Sequence, residues 1–276
     1  MRPTNTVLYC AIDNLISVTG KPLTGFPEFL DALAHSMTPC IWITSRTRAQ
    51  IDFALRKFGH SAPFIAEGGS GVYIPEDYFH LKPARTIRLA RFTCIPVGSP
   101  QPDASEALDS VAAETGISVV PLRALSPREL TQNTGLPPRE AELLRTRDFD
   151  ELFFFAGATD SDIQKFTLAA RGKKLLLRSR GTFWSLSVGA SLSTCIRELS
   201  KLFERALRAK PFNVAMATTE EAGELFPFAQ RPILLTDRTS ANDPALSQIH
   251  PTTKSLPLFS SDTWESALET VLAKHH

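Results

Sequence analysis

Short apolar runs, each too short to be a helix, alternate with amphipathic segments at the start of this chain, and the same alternation returns at its end. Val7 to Ile12 is the first run. Phe26 to Ser36 (FPEFLDALAHS) follows, with apolar residues at helical spacing, and Cys40 to Thr44 (CIWIT) is the second run. Arg48 to Phe58 (RAQIDFALRKF) is amphipathic and stops at Gly59; Phe64 to Ala66 is a third run, followed by EGGSG and VYI. Strand–helix alternation of this kind predicts an α/β fold, a parallel sheet covered by helices. Towards the C-terminus the pattern resumes with the amphipathic SLSTCIRELSKLFERAL, the strand FNVAMAT, the helical EEAGELFPFA, the strand PILLT, and DTWESALETVLAKHH with Asp262 as N-cap. Between the last two lies a polar stretch, DRTSANDPALSQIHPTTKS, expected to be a loop.

The middle of the chain reads differently. ARFTCIPVG, ISVVPL, ELFFFAG, KKLLLRSRG and TFWSLSV are strand candidates, the last two joined by a turn. Helical segments separate them: ASEALDSVAAETG, SPRELTQNTG, PPREAELLRTR and SDIQKFTLAARG. The expected organisation is a core in two pieces, 1–84 and 189–276, interrupted by an α+β insert at 85–188.

Composition removes several function classes. The formal net charge is +1, so no bulk field favours nucleic acid or an acidic membrane. No apolar run approaches the roughly 18–20 residues of a membrane span, and the N-terminal MRPTNTVLYC lacks a long apolar signal segment. Cys10, Cys40, Cys94 and Cys195 form no CxxC pair, and the first three, in apolar runs, read as buried free thiols, which fits a reducing cytoplasm. The six histidines show no metal-ligand spacing, and two of them, His275 and His276, are at the tail.

Several segments in order resemble the haloacid dehalogenase superfamily of phosphatases, in detail its mannosyl-3-phosphoglycerate phosphatase branch. They are LYCAIDN, ITSRTRAQI, AEGGSGVYIP, TGLPPREAELLRTRDFDE and SSDTWESAL, which together span nearly the whole chain. The resemblance implies a Rossmann-like parallel-sheet core with an inserted α+β cap. It also implies a two-step phosphoryl transfer. One aspartate attacks phosphorus and a second, two residues on along the same strand face, handles protons. A Ser or Thr after the second strand holds the phosphoryl group, a lysine offsets its charge, and further acids complete a Mg²⁺ site.

Carried onto this sequence, the nucleophile position falls on Ala11 and the acid/base on Asp13, with Asn14 in a glycine place and Leu15 in a threonine place. Thr44 matches the phosphate-holding position. The lysine falls on Leu192 and the metal acid on Thr218, with Glu221 and Ala222 where relatives carry Asn-Asp. The resemblance further assigns Ser45, Arg46, Arg48, Glu67, Gly68, Gly69, Arg147 and Glu151 to substrate binding. Thr182 and Ser185 depart from the branch, which has arginine and histidine there.

Each assignment has a plainer reading beside it. Asp13 is either a surviving acid/base or a polar strand end. Arg46 and Arg48 are either anion ligands or solvated helix surface, and Arg147 with Glu151 either faces substrate or forms a surface ion pair. Cys10 should point to the opposite strand face from Ala11 and Asp13 and be structural. Loss of charge at Ala11, Leu192 and Thr218 predicts a pseudo-phosphatase that binds a phosphorylated sugar, a sugar acid or a protein partner, without cofactor. The alternative is an active Mg²⁺-dependent phosphatase with an altered site, for which Asp13 and Glu221, with Glu220 and Glu224 nearby, are the remaining metal candidates.

Overall fold

A computed structural model describes residues 5–80, 83–236 and 253–274. In chain order the first core piece comprises β1 (Thr6–Ala11), α1 (Phe26–His35), β2 (Cys40–Ile43), α2 (Arg48–Phe58), β3 (Phe64–Ala66), β4 (Gly71–Pro75), β5 (Ile87–Leu89) and β6 (Phe92–Pro96). The insert follows with α3 (Gln101–Thr115), β7 (Val119–Pro121), α4 (Pro127–Thr134), α5 (Pro138–Arg145), β8 (Asp150–Phe155), α6 (Asp160–Gly172), β9 (Leu175–Arg180) and β10 (Phe183–Val188). The core resumes with α7 (Leu192–Leu207), β11 (Phe212–Ala217), α8 (Thr219–Leu225), β12 (Arg231–Thr236), β13 (Lys254–Pro257) and α9 (Thr263–Leu272). The expected loop from Asp237 lies mostly outside the described residues, as do His275 and His276.

Nine strands form the core sheet in the order β13-β12-β11-β1-β2-β3-β4-β6-β5. From β13 to β3 every pairing is parallel, and β4, β6 and β5 extend the edge antiparallel. The insert has its own antiparallel sheet, β7-β8-β10-β9. The insert therefore begins later than the expected residue 85. Phe92 and Cys94 of β6 are fully buried in the core cluster, with the Phe92 ring edge-on to Phe64 and Tyr73. The chain leaves the core only after Pro96, and the two crossings run side by side, with Ser99 N–H donating to the Val188 carbonyl at 2.8 Å.

Strand alternation sorts the core sheet into two apolar faces. Leu8, Cys10 and Trp42 pack with Phe26, Ile51 and Trp264 under α1, α2 and α9. Tyr9, Ala11 and Ile43 pack with Leu192, Ile196 and Leu199 of α7 on the other side. Cys10 is thus on the opposite face from Ala11, as strand geometry required, and burial raises its thiol well above the ordinary range. The strongly amphipathic α7 buries Leu192, Cys195, Ile196, Leu199, Leu202 and Phe203 along one stripe. It starts at Ser191, whose side chain accepts from Thr194 N–H, a cap worth about 1 kcal/mol. At the last helix, Asp262 occupies the N-cap position but makes no side-chain cap bond; its carboxylate accepts from the Ser261 hydroxyl instead.

Candidate active site

The carboxyl ends of β1, β2 and β11, the N-terminus of α7 and the insert meet at one place, where open parallel sheets present their ligand sites. Asp13 stands two residues beyond the end of β1. Its Oδ1 accepts from the Thr44 hydroxyl, and its Oδ2 accepts from Ser45 N–H at 2.8 Å and from Ser45 Oγ at 2.6 Å. Arg46 Nε lies 3.6 Å from Oδ1. Thr44 Oγ1 also accepts Arg46 N–H at 3.0 Å, so the hydroxyl is engaged as donor and acceptor. The donors at the end of β2 thus close on a carboxylate of the chain itself.

Ala11, Leu192 and Thr218 converge on the same region. Ala11 and Leu192 are buried in one apolar cluster. Thr218 follows β11; its hydroxyl accepts from Asn14 Nδ2 at 2.9 Å and donates to Glu221 Oε2 at 2.6 Å. Mg²⁺ favours near-octahedral oxygen ligation with one or two carboxylates from the protein. Ala11 offers no side-chain oxygen, Thr218 a neutral one, and the Asp13 carboxylate is already bracketed by two hydroxyls, an N–H and Arg46. Among the described residues no group of three or more His, Cys, Asp or Glu could hold a metal ion. Among the described side chains, which do not include that of Glu220, the donor set does not fit the Mg²⁺ site that the resemblance implies.

Arg46 and Arg48, expected to bind substrate, have other partners. Buried Arg46 donates from Nη1 to the Ser17 carbonyl at 3.0 Å and from Nη2 to the carbonyls of Asp13, at 3.0 Å, and Ile16. It staples the loop after β1 to the end of β2, and burial lowers its pKa. Arg48 donates to Asp148 from Nε at 2.8 Å, and the Tyr73 hydroxyl donates to the same carboxylate at 2.9 Å. That pair ties α2 to the segment leading into β8.

Glu67, Gly68 and Gly69 form a left-handed turn with φ of 49°, 63° and 93°. Glu67 accepts from the N–H groups of Asp148, Phe149 and Asp150 at 2.8–3.0 Å, fastening the insert's return to the core. Burial first, then the neighbouring Asp150, pushes Glu67 up to about 8, with Arg147 opposing. A Cβ on Gly69 would stand 2.5 Å from Leu192 N, so this glycine is required by the close approach of α7. The surface ion pair of Arg147 with Glu151, one of the two expected readings, is not among the described ion pairs. Arg147 pairs with Asp150 and donates to the Ser45 carbonyl at 3.0 Å, while Glu151 sits inside the insert with Arg123 at 3.0 Å and Ser105. Neither is a surface ion pair, since both Arg147 and Glu151 are almost completely buried.

A cavity of about 950 Å³ separates core from insert. Asp13, Thr44, Ser45, Arg46, Gly68, Arg147, Leu192 and Glu221 contribute to its wall, whereas Arg48, Glu67, Gly69 and Glu151 do not. Two charged wall residues were not among the expected ones, Arg178 and Arg180, which reach across from β9. Their signal was the run LLLRSRG, whose apolar stretch gives way to cations two residues apart, on one strand face.

No family model matches the chain. A glucosyl-3-phosphoglycerate/mannosyl-3-phosphoglycerate phosphatase of Methanococcoides burtonii is 23% identical over 176 residues, 64% of each chain. The chain therefore matches slightly less than two thirds of that enzyme's length. The enzyme of the same name from Persephonella marina is 22% identical over 209 residues, 75% of each chain. Among solved structures, a haloacid dehalogenase-like hydrolase from B. subtilis superposes with a TM-score of 0.61 at 10% identity, covering 98% of this chain and 100% of that one. The fold is that of the haloacid dehalogenase-like hydrolases. In sequence the chain is similar to the glucosyl- and mannosyl-3-phosphoglycerate phosphatases. Among the described residues no helix is long and apolar enough to cross a membrane.

Proposed function

We propose that this chain is a non-hydrolysing relative of the sugar-phosphoglycerate phosphatases, which takes a phosphorylated sugar or sugar acid into the cavity between core and insert and keeps it intact. The observation that carries this reading is the filling of the phosphate-holding end of β2 by Asp13. Thr44 Oγ1, Ser45 N–H and Ser45 Oγ all point at that carboxylate. A phosphoryl group would have to displace an anion of the protein to enter there, and it would find Ala11 rather than a nucleophile and Leu192 rather than a cation. Loss of the nucleophile alone removes several orders of magnitude of rate in enzymes of covalent mechanism. A protein of this kind acts through its bound state, in a regulatory or scaffolding role.

The test is a thermal-shift titration with mannosyl-3-phosphoglycerate, glucosyl-3-phosphoglycerate and free 3-phosphoglycerate, with inorganic phosphate measured in the same wells. The expected result is a concentration-dependent rise in Tm for at least one of them, as linkage requires of a ligand that binds only the folded state, with no phosphate released. Release with Mg²⁺ at ordinary enzyme rates overturns the reading.

A further inference from the structure

Arg178 and Arg180 cover Gly68 from the insert side: a Cβ on that glycine would stand 2.5 Å from Arg178 Nη1 and 3.1 Å from Arg180 Nη2. The two arginines differ in what holds them. Arg178 donates from Nη1 to the Gly68 carbonyl and from Nη2 to Glu224 Oε2, both at 2.7 Å. Arg180 has a buried Nε with no hydrogen-bond partner among the described residues, and no described carboxylate lies within ion-pair distance of it. The nearby acids are committed elsewhere, Asp150 to Arg147 and Asp13 to Thr44 and Ser45. A buried N–H of a charged group left without an acceptor costs more than a neutral one. Proteins keep such groups where something else supplies the acceptor.

We propose that Arg180, with Arg178 beside it, is the docking point for the ligand's oxyanion, a phosphate monoester or a carboxylate, on the insert wall of the cavity, and that Glu224 is an internal carboxylate which this oxyanion displaces from Arg178. The proposal rests on the reading of the cavity as a ligand site. A guanidinium fork matches the oxygens of phosphate or carboxylate in pairs. The competing carboxylate is weakly held, since the Glu224 side chain is 54% exposed and exposed ion pairs contribute little. The anion thus docks away from the end of β2, where Asp13 already takes the donors.

Isothermal titration of the full chain with 3-phosphoglycerate tests the placement, because that probe carries both oxyanions. Arg180→Gln should weaken binding at least tenfold while melting at nearly the wild-type temperature. Glu224→Gln should tighten binding severalfold, a gain that misfolding cannot imitate. Equal affinity for wild type and Arg180→Gln, weaker binding by Glu224→Gln, or no binding by wild type up to millimolar probe would each overturn the proposal. If wild type binds without turnover but Arg180→Gln binds as well, the placement fails and the non-hydrolysing reading stands. If wild type hydrolyses the probe, that reading fails whatever Arg180→Gln does.

Discussion

Ser45 Oγ donates to Asp13 Oδ2 across 2.6 Å, so the loop after the second strand holds the carboxylate that follows the first. Hydrogen bonds to a charged acceptor contribute about 1.5–3 kcal/mol, and Asp13 keeps its N–H donor when the hydroxyl is removed. Ser45→Ala should therefore cost about 1–2 kcal/mol in urea unfolding, at unchanged m-value. A variant as stable as wild type would show that the contact contributes nothing to holding Asp13.

Arg46 should behave as a structural residue. Its guanidinium serves the carbonyls of Ser17, Asp13 and Ile16 at once. A lysine cannot reproduce the planar fork, and removal of one partner from a buried charged network costs about 3–5 kcal/mol. Arg46→Lys should lower the denaturant midpoint substantially, while whatever fraction stays folded binds 3-phosphoglycerate with unchanged affinity. A stable Arg46→Lys with lost binding would return Arg46 to the ligand.

Restoring the missing nucleophile should harm the protein. Ala11 is 2% exposed and shares an apolar cluster with Leu192. Ala11→Asp places a second carboxylate near Asp13 with neither lysine nor metal acid to balance it, at a cost of several kcal/mol. The expected outcome is a lower Tm and no phosphate release. Activity in this single variant would mean that Leu192 and Thr218 do not block the chemistry.

Glu67 sets a pH dependence of known sign. Its pKa is raised from 4.5 to about 8 in the folded protein by burial and Asp150. The folded state therefore holds a proton that the unfolded state has released, and stability from this group falls as pH rises between those two values. Glu67→Gln lacks that titration. The stability gap between wild type and Glu67→Gln should narrow across the same window, read by denaturant unfolding at several pH values. A constant or widening gap would contradict the raised pKa.

Much of the fold was legible because local pattern and packing agree: runs such as CIWIT and FNVAMAT became parallel strands, and helices such as α7 carry one apolar stripe. The start of the insert was not, because β5 is an edge strand with exposed Ile87 and Arg88 and carries no burial pattern. At the site, the order of motifs brought Asp13, Thr44, Leu192 and Thr218 to one region. It could not reveal that the donors at the end of β2 close on Asp13 rather than stand open. Arg46 and Arg48 read as anion ligands because residue type and spacing do not name partners 29 and 100 residues away, the Ser17 carbonyl and Asp148. Arg178 and Arg180 were visible as an alternating pair, but only the tertiary approach of β9 to Gly68 turns them inward.

The most direct measurement is phosphate release from mannosyl-3-phosphoglycerate and glucosyl-3-phosphoglycerate with Mg²⁺, from a preparation free of host phosphatase, run beside the Methanococcoides burtonii relative. With Ala11, Leu192 and Thr218 in place and the donors of Thr44 and Ser45 closed on Asp13, the wild-type chain should release none above the no-enzyme control while the relative turns over. Release at a rate comparable with the relative, abolished by Asp13→Asn, would contradict it.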